Sequence, residues 1–329
     1  MQTMSDLKVQ LCPGPAAALA EGIHWDSRRQ RLFWVDILHP WLYWFEPATA
    51  STGRLALSQP GCWLLGTDSP ALLIGMSRSI GLLDPETGKV RELPQVQLQT
   101  EPAGNRLNDG GADLQGRLWF GTMDNAEQTP SGQLYRWDQR GLHTVDTGYV
   151  VTNGPVFTQD GQFLYHASSS SREVYRFALS QTGELVQKQI FIRFSEAQGF
   201  PDGMALDADG GLWVAQWRGY GISRFDRNGH LTRTIALPVS NVTNLAFAGP
   251  DLRQLFVTTA QAGLTPMELQ QQPAAGRLFR LELEIPGVQV PAVKLSSLAL
   301  PDSPSDAKSQ ACDCNGLGLV AADATAEKN

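Results

Sequence analysis

The stretch GADLQGRLWFGTMDNAEQTPSGQLYRWDQRGLHTVDTG (111–148) decides the fold. It holds four short β-type runs: GADL, RLWFGT, GQLYRWD (132–138) and LHTVDTG (142–148). Turn chemistry separates them at Gln115-Gly116, Ser131-Gly132 and Arg140-Gly141. Its apolar run, RLWFGTM (117–123), has counterparts at RLFWVD (31–36), ALLIGM (71–76), QFLYHAS (162–168), GLWVAQW (211–217) and QLFVTTA (254–260). With Leu32, Leu72, Leu118, Phe163, Leu212 and Leu255 as anchors, the intervals are 40, 46, 45, 49 and 43 residues. A period of about 40–50 residues built of short strands marks a propeller. Each repeat is then one blade that buries its faces against its neighbours. Six repeats fill about 16–285, so the expected architecture is all-β: a six-bladed β-propeller with four-stranded antiparallel blades. Two stacked sandwiches hold as many strands but need no repeat. No segment shows sustained helical periodicity with caps.

The ends fall outside this period. Residues 1–15 read as an N-terminal extension. Residues 286–329, with KLSSLALPDSPSDAKSQACDCNGLG (294–318), are rich in Ser, Asp, Pro and Gly and read as a partly disordered C-terminal extension.

Composition excludes several classes. Of 329 residues, 42% are apolar and 18% charged, which suits a large packed core. The net charge of −7 argues against nucleic acid or an anionic membrane surface as partner. No apolar run approaches the roughly 20 residues of a membrane span. The start, MQTMSDLKVQLCPG, lacks the apolar core of a signal peptide, so the expected location is cytoplasmic. Cys12, Cys62, Cys312 and Cys314 match no zinc spacing and read as free thiols.

Counting back from the anchors exposes a second regularity. Asn108, Asn153 and Asp202 each lie ten residues before their anchor, and Glu21 and Asn244 lie eleven before theirs. In the second repeat Cys62 and Trp63 stand near that register. Rotation about a propeller axis gathers equivalent positions at one end of the central channel. Glu21, Asn108, Asn153 and Asp202 would then offer oxygens at similar height. Such a set suits a hard divalent cation: calcium first, with magnesium, manganese or zinc as alternatives, though no His or Cys joins it. Taken singly, an Asp-Gly or Asn-Gly pair at a strand end is an ordinary turn. Three members at one count, all Asn, Asp or Glu, make the set more than that. Asn244, followed by Leu245, is its weakest member and reads equally well as a blade cap.

The segments EGIHW (21–25), NRLNDGGADLQGRLWFGTMD (105–124), VTNGPVFTQDG (151–161), FPDGMALDADGGLWVA (200–215) and VTNLAFAGPDLRQLFVTTA (242–260) resemble the SMP-30/gluconolactonase family, which includes regucalcin and bacterial sugar lactonases. The resemblance covers most of residues 15–285. It implies a six-bladed propeller that hydrolyses sugar lactones with a divalent metal; the chain is separately expected to work as a monomer or small homo-oligomer. It implies metal ligands at Glu21, Asn153 and Asp202 and substrate contacts at Arg106 and Asn108. Where the family's first motif reads E-G-P, this chain has Ile23.

The chemistry is coherent on its own terms. A lactone carbonyl needs polarisation, which a bound cation supplies. The attacking water needs a base, and Asp202 is the choice. Arg106 carries a planar donor fork suited to hydroxyls or a carbonyl oxygen. Asp109 is expected to support Arg106 or a bound water at the substrate site. The loop MDNAEQTPSG (123–132) reads as a lid and SSSS (168–171) as a plain loop. Nucleophilic-serine hydrolysis is disfavoured, because GMSRSIG (75–81) fails the G-x-S-x-G elbow. Two alternatives remain open: a phosphotriesterase- or arylesterase-like hydrolase on the same ring, and a non-catalytic calcium-binding propeller.

Overall fold

A computed structural model describes residues 7–93, 98 and 101–300. Six four-stranded antiparallel sheets make up the fold among the described residues, five of them meanders of consecutive strands. Their innermost strands are Ala20–Asp26, Gly61–Gly66, Asn105–Ala112, Thr152–Phe157, Phe200–Leu206 and Val242–Ala248. These strands touch one another in a closed cycle around the axis. The propeller read from the period is therefore present, and each anchor residue lies on the second strand of its blade.

Burial falls from the axis outward. Ala20–Asp26 and Leu118–Asp124 are buried at every position, as strands covered on both faces must be. The outermost Leu231–Ala236 is mostly exposed, with Ile235 facing in. Between blades, large aromatic rings fill the gap. Trp63 of the second blade stacks on Phe120 of the third at 6.4 Å, and Trp119 of the third blade meets Phe157 of the fourth at 5.6 Å.

The first hairpin of the fifth blade explains another part of the pattern. Asp207, 1% exposed, accepts from the backbone N–H of Gly211 at 2.8 Å, Trp213 Nε1 at 2.9 Å and Arg224 Nε at 2.6 Å. In the third blade Asp113 does the same with Arg117 and Trp119. These buried aspartates are structural: each satisfies a turn and a tryptophan indole together. Asp207→Ala leaves Arg224 and the indole without their acceptor. It is expected to lower the unfolding free energy by about 3–5 kcal/mol, read by urea denaturation. A loss under about 1 kcal/mol would mean that water replaces the carboxylate.

The sixth blade departs from expectation. Its repeat supplies three strands, and the fourth is Gln10–Leu11, which pairs with Phe279 and Arg280. Residues 10–11, inside the expected N-terminal extension, thus close the ring. Between Thr259 and Phe279 the chain inserts a helix, Pro266–Gln271, with Thr265 and Glu268 as a capping box. The sequence does carry this capped helix, as T-P-M-E, but it is too short to show periodicity.

The expected boundary at 285 is also crossed. Residues 286–300 run across the face of the propeller away from Glu21. The N–H of Val288 donates to Leu206 O, that of Val293 to Gly66 O and that of Lys294 to Gly116 O. Val293 and Leu298 are 0% and 4% exposed. Two apolar anchors and a series of backbone hydrogen bonds hold a segment whose polar composition suggested a loose tail. The rest of that tail, with Cys312 and Cys314, lies outside the described residues. Cys12 and Cys62 are free and buried, and burial pushes their thiols up to about 12 and about 11. In the described residues, no helix is long and apolar enough to cross a membrane.

Candidate active site and metal centre

Every innermost strand carries one extra residue relative to its partner. The irregularities fall between Glu21 and His24, Gly61 and Trp63, Leu107 and Gly110, Asn153 and Val156, Pro201 and Met204, and Val242 and Leu245. A β-bulge bends its strand and re-aims a side chain. Six bulges at one height turn the candidate residues toward the axis. The adjacent glycines follow from the crowding this causes. Gly22 has φ +58°, and a Cβ there would lie 2.4 Å from Trp63 Cα. At Gly203 a Cβ would lie 2.2 Å from the Asn244 amide.

One mouth at this end of the channel is lined by Glu21, Asn153 and Asp202 together with Arg106 and Asn108. The structure brings these five residues together. Arg106 donates from Nη1 to Asn108 Oδ1 at 2.7 Å and from Nε to Asn125 Oδ1 at 3.2 Å. Asn108 donates in turn to Thr152 O at 2.6 Å and Asn153 Oδ1 at 3.2 Å. Asn153 donates its Nδ2 to Ser169 Oγ at 2.9 Å, which fixes the amide with Oδ1 accepting from Asn108.

Asp109 stands elsewhere. It lines the channel beneath the mouth and not the mouth itself. Its carboxylate accepts from the N–H of Gly154 at 2.7 Å and of Gly110 at 2.8 Å. The expected substrate contact is therefore replaced by a structural one, tying the third-blade bulge to the loop behind Asn153. The reason is pleat: Asn108 and Asp109 are consecutive in an extended strand and face different ways.

Four residues that sequence reasoning missed or undervalued belong here. Asn244 donates to Glu21 Oε2 at 2.9 Å and so orients it; it is no mere blade cap. Ser169, inside the run read as a plain loop, holds Asn153. Glu127 and Trp217 line the mouth. Glu127 lies on the expected lid, which is pinned: Asp124 accepts from the N–H groups of Ala126, Gln128 and Thr129. The loop is thus a wall of the mouth. None of the five histidines lines the mouth.

The electrostatics are strained by like charge. Asp202 is held well above the ordinary carboxylate range by burial, then by the charges of Glu21 and Asp109. Glu21 is raised by burial, then by Asp109. Asp109 is pushed up to about 6 by burial. In the described residues no three His, Cys, Asp or Glu side chains form a metal cage by themselves; the third oxygen of the candidate set is the Asn153 amide. Two buried carboxylates and an amide oxygen, with no imidazole or thiolate, fit a hard divalent cation whose charge would relieve their repulsion.

A propeller with a carboxylate–amide cluster at one mouth defines the class, and comparison places the chain within it. Residues 19–261 match the model of the SMP-30/Gluconolactonase/LRE-like region, and the chain belongs to that family. It is 32% identical to the 6-deoxy-6-sulfogluconolactonase of Pseudomonas putida, over 84% of this chain and 94% of that one. It is 33% identical to the pentonolactonase XacC of Haloferax volcanii, over 82% and 92%. In structure it is similar to the calcium-binding protein regucalcin of Agrobacterium tumefaciens, with a TM-score of 0.82 at 27% identity, covering 88% and 98% of the two chains.

Proposed function

We propose that the protein hydrolyses sugar lactones to aldonic acids at this mouth, with Glu21, Asn153 and Asp202 holding a divalent cation. The observation that carries this reading is the convergence of those three side chains with Arg106 and Asn108 in one solvent-open mouth. Held by these residues, a divalent cation, calcium first, would supply Lewis-acid polarisation of a carbonyl. Asp202 takes the proton of the attacking water. The new C–O bond forms from that water, the ring C–O bond breaks, and the ring oxygen leaves as a hydroxyl carrying the returned proton. Arg106, braced by Asn108 and Asn125, orients the oxygens of the substrate. Asn244 and Ser169 act through Glu21 and Asn153, fixing their oxygens before substrate arrives.

The test is a matrix of cations against sugar lactones on chelator-stripped protein, with organophosphate and aryl esters alongside. Lactone turnover restored by one or more divalent cations supports the reading. Turnover of organophosphates alone moves the chain to the esterase alternative. Calcium binding with no hydrolysis at all leaves a non-catalytic binding propeller, a reading kept open by the similarity to regucalcin.

A further inference from the structure

The mouth has two unlike sides. The third and fourth blades contribute Arg106, Asn108, Glu127 and Ser169, with Met123 and Val151 among them. The fifth blade, next to the fourth, contributes Phe200 and Trp217, and the first blade contributes Leu19 and Ile37. Each pair is held within its own blade. The N–H of Ile37 donates to Leu19 O at 3.0 Å. Phe200 and Trp217 sit opposite each other in register on neighbouring strands. The Arg172 guanidinium lies 4.3 Å from the Phe200 ring centre and props it from behind. Leu19, Ile37 and Phe200 offer no side-chain hydrogen-bonding group, and Trp217 offers only its indole N–H.

We infer that Trp217, backed by Phe200, is a specificity-determining residue that stacks on the C–H face of the substrate, so that the site prefers sugar lactones deoxygenated at the terminal carbon. The inference rests on the lactonase reading and deepens it. With the carbonyl over Glu21, Asn153 and Asp202 and the ring hydroxyls toward Arg106 and Asn108, the far end of the carbon chain is left to meet Phe200 and Trp217. A hydroxyl there gives up water for a wall with one donor and no side-chain acceptor. A methyl group there buries apolar area instead. The discrimination is modest, because an apolar surface rejects an added hydroxyl only weakly.

The test compares γ-galactonolactone with γ-fuconolactone, which differ only by the terminal hydroxyl, using cation-loaded wild type, Trp217→Ala and Trp217→Phe. Wild type is expected to favour the deoxy lactone about tenfold in kcat/KM. Trp217→Ala is expected to collapse that ratio, chiefly through KM, and Trp217→Phe to retain most of it. Calorimetric titration with the two aldonate products should give the same order without turnover. Equal ratios in wild type and Trp217→Ala, or preference for the hydroxylated lactone, overturn this inference and leave the lactonase reading standing. Failure of wild type to open either lactone under any divalent cation overturns both.

Discussion

Asp202→Asn is expected to lower turnover about 10²–10⁴-fold, the range for a lost general base, and to weaken cation binding in the same protein. Asparagine matches aspartate in size, so the bulge between Pro201 and Met204 is not disturbed. What changes is charge. In the cation-free protein Asp202 is a buried carboxyl facing the charges of Glu21 and Asp109. A neutral amide removes that repulsion, so the stripped variant is expected to melt at the same temperature as stripped wild type or higher. Activity and stability should therefore move apart, as they do where a site is tuned for chemistry at the expense of the fold. Steady-state rates on a lactone, calorimetric titration with calcium and thermal melts of stripped protein check the three parts. Wild-type turnover in the variant removes Asp202 from the mechanism. A lower melting temperature in the stripped variant shows that its carboxyl is held by hydrogen bonds that outweigh the repulsion.

What the sequence disclosed follows from what a repeat can encode. The second strand of each blade is mostly apolar and buried, because neighbouring blades cover both faces, and so it recurs visibly as RLFWVD or GLWVAQW. The bulge on each innermost strand sits at a fixed distance from that run, so counting back from Leu118 or Leu212 reached Asn108 and Asp202. Counting fails where neighbours in sequence diverge in space. Asp109 follows Asn108 yet faces the channel. Asn244 resembles a cap, yet its amide reaches Glu21 across a sequence separation of 223 residues. The closing strand at Gln10–Leu11 is two residues long and pairs with residues near 280, a contact with no local signal. Residues 286–300 are anchored by backbone hydrogen bonds, which composition does not record. Trp217 reads as the end of an apolar strand, and only the blade's geometry brings it to the mouth.

Chelation is expected to abolish lactone hydrolysis while leaving the far-ultraviolet circular dichroism of the propeller in place. The reason lies in how the fold is held. The core is built of inter-blade aromatic stacks and buried apolar strands around Trp63, Phe120 and Trp213, none of which needs an ion. The candidate ligands sit on bulges braced by protein groups: Asn244 holds Glu21, and Ser169 holds Asn153. The carboxyls in and beneath the mouth set the sign of the pH dependence. Asp109 titrates at about 6 against 3.8 for the free side chain, and Glu21 is raised from 4.5 in the same direction. The folded, cation-free protein thus holds protons that the unfolded chain has released. Its stability falls as pH rises from the unfolded carboxyl range through the folded one. A bound cation replaces those protons, so the rise in melting temperature produced by calcium should be larger above the Asp109 titration than below it. Melts with and without calcium on either side of that pH measure the difference. If chelation unfolds the chain, the ion holds the propeller together and the catalytic assignment of Glu21, Asn153 and Asp202 gives way to a structural one. If the calcium effect shrinks as pH rises, Glu21 and Asp202 are not the groups that bind it.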